Sequence, residues 1–313
     1  MKSKSPPPEP NREDLPKDWP HAHLHGRVRD AIRSLPIHFS SETYIEGISA
    51  TDIFTLNSAL GATIEDQVVS NLNRMRSVWD PEKEYSLYGF VRQPQTFPDV
   101  LLRSDRDILF GIELKGWYLL SKEAEPSFRY TVTPGVCHPA DLLVCVPWAL
   151  KNVISGRPVV FNPYIEQAKH AAELRNYYWM FMRNTSSDRN IHAPEGPLDP
   201  YPNKSERIAD IPVRDGGGNF GRIARTRIMD EFTQASLRQP LCGVPASAWL
   251  GFFKLFTESV SDQQISERLE ALRTSIDTYV RPADERTARA LLRILEILES
   301  ELPGSGSHSP ATA

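Results

Sequence analysis

Leu60, Ile64, Val68, Leu72 and Met75 recur at intervals of four and three residues. That spacing lines one face of an α-helix and predicts a helix from Asn57 onward. Glu65 falls beside the stripe, at the edge of the face it would bury. Residues 85–91 are short and aromatic and predict a first strand. Val100–Arg103 and residues 108–120 follow as two more apolar strands, with Ser104-Asp105-Arg106-Asp107 between them as turn material. Residues 140–150 are almost continuously apolar. Their first part suits a strand buried on both faces, which Pro147 is expected to end. A long helix is predicted over 164–182, with Asn162-Pro163 as cap and first-turn residues. Its Ile165, Ala168, Ala172 and Tyr178 would face a core.

Residues 184–206 are polar and rich in proline and read as an extended loop or a partner-binding excursion. A basic, Gly-rich stretch occupies 214–227, and 246–260, 261–280 and 284–302 each carry helical apolar spacing. The ends differ: residues 1–20 are dense in proline and charge, and 303–313 read PGSGSHSPATA. Both are expected to lack fixed structure. The organisation predicted is a disordered arm (1–20), one domain (21–302, catalytic core about 57–182, DNA-contact segment and helical part about 204–302) and a tail (303–313). The element order predicts an α/β protein, a mixed β-sheet flanked by helices with a helical C-terminal region.

Composition narrows this little. With 40% hydrophobic and 24% charged residues in 313, the chain has the balance of a soluble globular protein able to bury a core. The longest apolar run, 142–150, is far short of the roughly 20 residues of a membrane helix. The N-terminal stretch has no apolar segment of the secretory kind, so no membrane association is expected. Cys137, Cys145 and Cys242 are too few and too scattered for a disulfide framework or a zinc site, which suits an intracellular protein. A net charge of -4 argues against an indiscriminate nucleic-acid coat but not against a DNA enzyme, where a local basic surface matters.

The candidate chemistry lies on the predicted hairpin. Pro98-Asp99 is followed, thirteen residues later, by Glu113-Leu114-Lys115. Strand alternation puts Glu113 and Lys115 on one face, with Gly111 keeping that face clear, and Ile108, Phe110, Ile112 and Leu114 on the other. Burying such charges costs several kcal/mol, roughly, unless something compensates. A metal ion and a phosphate would do so. For Asp99 to share an ion with Glu113, the two must lie opposite each other. That requires Ser104 to pair with Ile108 around a three-residue loop, Asp105-Arg106-Asp107, or else a β-bulge. A four-residue loop in a regular ladder would set Asp99 opposite Ile112, on the wrong face. Asp99, Glu113 and the carbonyl of Leu114 would then hold Mg²⁺, with Mn²⁺ as a substitute. Lys115 would orient a water and stabilise charge on the phosphate. Glu65 would hold a second ion or an ion-bound water, or else be a solvated helix acid.

With its preceding helix and later buried strand, this arrangement resembles the PD-(D/E)xK nuclease superfamily over residues 60–182. Asp99 stands as the first acid and Glu113-Leu114-Lys115 as the ExK. The resemblance implies a restriction-endonuclease-like core. Size and single-chain build look most like a type II restriction endonuclease. That implies a Mg²⁺-dependent homodimer cutting short, often palindromic sites in double-stranded DNA, in a prokaryotic cytoplasm. A companion DNA methyltransferase would act on the same site. The alternatives are a nuclease of repair, recombination or a mobile element, and a non-catalytic DNA-binding module on the same fold.

Residues 207–227 supply a place to hold DNA. Gly216, Gly217, Gly218 and Gly221 let a backbone approach a phosphate, and Arg214, Asn219, Arg222, Arg225 and Arg227 suit phosphates and base edges. The plainer alternative is a Gly-rich turn at a solvated helix start. No nucleotide-binding fingerprint and no GxSxG occurs. His21, His23 and His25 read as a flexible, solvated run rather than a metal site. Trp117, Trp148, Trp179 and Trp249 read as packing aromatics, and Tyr177-Tyr178-Trp179 as a buried helix face.

Overall fold

Apolar stripes close onto a sheet that begins late in the chain. The computed structural model describes residues 6–93, 96–196, 198–203, 206–258 and 261–279. α1 (Ala22–Arg33) buries Leu24, Val28, Ala31 and Ile32, and α2 (Leu35–His38) is a single turn with proline in its first turn. α3 (Leu56–Arg74) buries Leu56, Ile64, Val68, Val69 and Leu72; of the predicted stripe Leu60 is only half-buried, and Met75 is buried just past the helix end. A further turn, α4 (Arg76–Trp79), ends on the buried Trp79, whose indole donates to the Leu72 carbonyl at 2.8 Å.

The sheet has six strands: β1 (Gly89–Arg92), β2 (Val100–Arg103), β3 (Ile108–Tyr118), β4 (Leu142–Leu150), β5 (Pro158–Val160) and β6 (Tyr164–Gln167). They run in the order β1-β2-β3-β4-β5, with β6 also on β4; β3 and β4 are parallel and the other pairs antiparallel. β4 is buried along its whole length, as a strand covered on both faces must be. The first strand is shorter than expected, because residues 85–88 form a turn that closes with Tyr88 N–H on the Tyr85 carbonyl.

Two predicted boundaries move for reasons of pairing. Pro147 does not end β4 but lies inside it, opposite Trp117 of β3. Its nitrogen faces the other side, in the gap between the end of the β6 ladder at Cys145 and the start of the β5 ladder at Trp148, where no donor is required. Nor do residues 164–167 open a helix. They pair with β4, Tyr164 with Cys145 through Gln167 with Leu142, and α5 (Ala168–Tyr177) begins only after them. The gain from completing the ladder outweighs a local cap. Ala168 and Ala172 face the core as predicted. α5 then widens into a π-helical turn over Tyr178–Met182.

The N-terminal stretch expected to lack structure is, from residue 6, a strap across the sheet edge. Arg12 makes paired hydrogen bonds to Glu166, Lys169 to Glu13, and Leu15 and Trp19 pack on the core. Charge and proline gave no periodic signal, yet Arg12 answers an otherwise buried carboxylate. Nor is the histidine run flexible. His21 precedes α1 and contacts the Tyr85 hydroxyl at 3.0 Å, and His25 is buried with Nε2 on the Ala140 carbonyl. Burial lowers the His25 pKa to about 4.

Beyond the sheet, β7 (Ile191–His192) and β8 (Ile211–Pro212) form a small ribbon. α6 (Asp230–Leu237), the pair β9 (Pro240–Leu241) and β10 (Val244–Pro245), α7 (Ala246–Phe253) and α8 (Asp262–Tyr279) make up the described C-terminal region. The helix predicted over 284–302 and the tail from 303 lie outside the described residues. The four tryptophans at 117, 148, 179 and 249 are buried, as expected. No helix among the described residues is long and apolar enough to cross a membrane.

Candidate active site

The register that the acids require is present, and a bulge produces it. Val100 pairs with Ile112, Leu101 with Gly111 and Leu102 with Phe110; the ladder then slips, so that Arg103 pairs with Ile108 and Leu109 is the extra residue. Ser104 does not pair with Ile108. It closes a tight turn by donating to the Asp107 carbonyl at 2.9 Å, and its hydroxyl accepts the amides of Arg106 and Asp107. One step further along the ladder, Asp99 lies opposite Glu113, and its N–H donates to Glu113 Oε2 at 3.3 Å.

β2 begins at Val100 while β3 runs on to Tyr118, so the far part of β3 has an edge with no strand beside it among the described residues. Its outward amides recur every second residue and must find acceptors. Leu114 N–H donates to Asp99 Oδ2, Gly116 N–H to Glu65 Oε1 and Tyr118 N–H to Asn57 Oδ1, each at 3.1 Å. The last two acceptors come from α3, which packs along this edge. Glu65 is therefore at the site and not a solvated helix acid.

The ammonium of Lys115 sits between the two acids, 2.8 Å from Asp99 Oδ2 and 2.9 Å from Glu113 Oε1. Glu113 is only 7% exposed. Burial pushes its carboxyl up to about 7; the charge of Asp99 adds to this and Lys115 opposes it. Burial alone would lower the Lys115 pKa, but Glu113 and Asp99 outweigh it and hold the ammonium more firmly protonated than usual. Glu65 is also raised by burial, against the pull of the Gly116 amide, Lys115 and Arg92. Arg92 bridges Glu65 at 3.7 Å and Asp66 at 3.6 Å.

Gly111 does more than keep the face clear. A Cβ there would lie 2.1 Å from Pro98 Cγ, so the glycine provides the seat for the proline that precedes Asp99. Its amide donates to Asp141 at 2.6 Å. Asp141, which sequence reasoning missed, is fully buried and also accepts from His138 N–H at 2.7 Å and the Tyr201 hydroxyl at 3.1 Å. Burial raises its pKa to about 7, with these hydrogen bonds pulling the other way. Its one sequence signal is an aspartate at the head of an apolar strand.

The donor set suits a hard divalent ion. Asp99 and Glu113 bring two carboxylates to one place, and the Leu114 carbonyl leaves the extended strand on the same side as the amide that meets Asp99. Among the described residues no group of three or more His, Cys, Asp or Glu converges to hold a metal. Two carboxylates with water completing the shell is how Mg²⁺ is commonly held, and Glu65, beside them, accepts the Gly116 amide.

The Gly/Arg segment does not bond to the acids or the lysine directly. None of Arg214, Asn219, Arg222, Arg225 or Arg227 makes a hydrogen bond or ion pair to Asp99, Glu113, Lys115 or Glu65 among the described residues. Arg225 bonds Asn219 and reaches Glu125 at 3.4 Å, and Asp215 caps the amides of Asn219 and Phe220. Arg214 and Arg227 are exposed. Gly221, at φ +86°, is demanded by packing, since a Cβ would lie 2.8 Å from Thr131 Cγ2. Residues 223–226 form a short 3₁₀ turn.

No family model, no curated protein and no solved structure matches this chain.

Proposed function

We propose that the chain is a Mg²⁺-dependent, sequence-specific endonuclease that hydrolyses phosphodiester bonds in double-stranded DNA, of the type II restriction kind. The observation that carries this is the meeting of Asp99, Glu113 and Lys115 at the open edge of β3, made possible by one bulged residue. When bound there, Mg²⁺ would polarise the phosphate and acidify a water. Asp99 and Glu113 supply the anionic oxygens. Without the ion, Asp99 and Glu113 hold Lys115 protonated; beside a bound ion the lysine would donate hydrogen bonds to a phosphate oxygen and orient the water.

One observation favours a non-catalytic DNA-binding module: Asp99 and Glu65 also cap edge amides. Capping needs only an acceptor, however, and does not account for a lysine held between two acids. A homodimer with each copy cutting one strand, and a companion methyltransferase, belong to the same proposal.

Digestion of a plasmid of known sequence with Mg²⁺ and with EDTA tests it. Discrete fragments that need Mg²⁺ and vanish in Lys115→Ala, with DNA binding kept, support the restriction reading. A smear supports a non-specific nuclease. Absence of cutting, or unchanged cutting by Lys115→Ala, overturns the assignment.

A further inference from the structure

Three buried donors without acceptors line one pocket. The π-helical turn after α5, closed by Arg183 N–H on the Tyr178 carbonyl at 3.1 Å, brings Trp179 and Arg183 to face the loop that carries Asn219 and Arg222. Between them lies a cavity of about 150 Å³ whose lining holds Arg175, Arg183, Arg222 and Arg225 and no acidic residue. Taking roughly 30 Å³ for each water, that is space for about five.

Arg175 is spoken for by Asp210 and by the carbonyls of Tyr130 and Val132, and Arg225 by Asn219 and Glu125. Arg183 and Arg222 form no ion pair among the described residues. Arg183 instead lies over the Trp179 ring, 3.5 Å from its centroid. Arg183 Nη1, Arg222 Nε and Trp179 Nε1 are buried and have no hydrogen-bond partner among the described residues. All three atoms can only donate. Leaving a buried donor unmatched is unfavourable, and more so for a charged group. The nearby acids do not relieve this: Asp210 binds Arg175 and Asn176, Glu125 binds Arg225, and Asp215 caps main-chain amides.

We propose that this pocket binds a phosphate oxyanion, held by Arg183 and Arg222 with the Trp179 indole as a third donor. A guanidinium fork and a tetrahedral oxyanion match in charge and geometry. Two sources share this chemistry, a nucleic-acid backbone and a small phosphate. The first source rests on the DNA reading above, whereas the pocket itself does not depend on any cleavage.

The test uses the full chain without divalent cation. Thermal unfolding is followed in millimolar inorganic phosphate and in chloride of equal ionic strength, and binding of a fluorescent DNA duplex is followed by anisotropy. The wild type is expected to unfold at higher temperature in phosphate. Arg183→Gln/Arg222→Gln is expected to lose that shift. Weakening of its duplex binding by about tenfold or more, with a log–log salt slope shallower by about one, identifies a backbone phosphate. Duplex binding equal to wild type alongside a lost phosphate shift identifies a small phosphate. No phosphate-specific shift in the wild type, or an equal shift in the folded double variant, overturns the proposal. The wild-type measurement stands even if the variant fails to fold, and none of these readouts depends on nuclease activity.

Discussion

Asp99 and Lys115 are joined at 2.8 Å although one immediately precedes a short strand and the other lies well along its longer neighbour. The same Asp99 oxygen accepts the Leu114 amide. One carboxylate thus finishes a sheet edge and half-surrounds a cation, two tasks that different substitutions separate.

Asp99→Asn keeps an oxygen for the Leu114 amide and removes the charge. It is expected to fold with a near-native melting temperature and to lose Mg²⁺-dependent cleavage by about a hundredfold or more, the scale of removing a key electrostatic group. Asp99→Ala is expected to lose cleavage and also about 1–3 kcal/mol of stability, from the orphaned amide. Plasmid nicking beside calorimetry separates the two effects. Full activity in Asp99→Asn would remove Asp99 from the chemistry.

Gly111→Ala pushes a methyl into Pro98. Overpacking of this kind costs about 1–3 kcal/mol, and relief by shifting Pro98 would carry Asp99 out of register with Glu113. Lower stability together with weaker cleavage is expected. A crystal structure of the variant with Asp99 and Lys115 still in contact would contradict the coupling.

Asp141 makes stability fall with rising pH. Its carboxyl ionises near 3.8 when unfolded and at about 7 when folded, so between those values the native state binds the extra proton. The contribution is complete below about 4 and is lost as the pH rises through 7. The stability of the wild type relative to Asp141→Asn, by urea unfolding across this range, is expected to shrink as pH increases. A difference that is flat or grows would show that Asp141 is ionised in the fold.

Arg12 is 67% exposed but serves Glu166, which is 4% exposed. Arg12→Ala leaves that carboxylate buried without its cation and is expected to lower the melting temperature and to open the N-terminal strap to protease. Removal of the exposed Arg33, which meets only Asp30, is the control and should change little. Equal behaviour of the two variants would mean that the strap is not held by Arg12.

What the sequence determined by itself is what periodicity can carry. The α3 stripe, the β2–turn–β3 hairpin and the co-facial Glu113 and Lys115 follow from residues a few positions apart, whose relations depend on helix pitch and strand alternation alone. The register was not legible in this way, since only the expectation of a shared ion favoured a three-residue loop or a bulge over a regular four-residue hairpin. Tertiary structure decided the rest, because the competing free energies come from distant partners. Bulging at Leu109 behind a four-residue turn rather than closing a three-residue loop, passing β4 through Pro147, and making strand of 164–167 all depend on which neighbouring ladder has an open position. Asn57 and Glu65 acquired their roles only because β2 starts at Val100 and leaves the amides of Gly116 and Tyr118 facing α3. Asp141 and Arg12 answer buried groups that no local pattern announces, and unsatisfied polarity becomes visible only once the chain is packed.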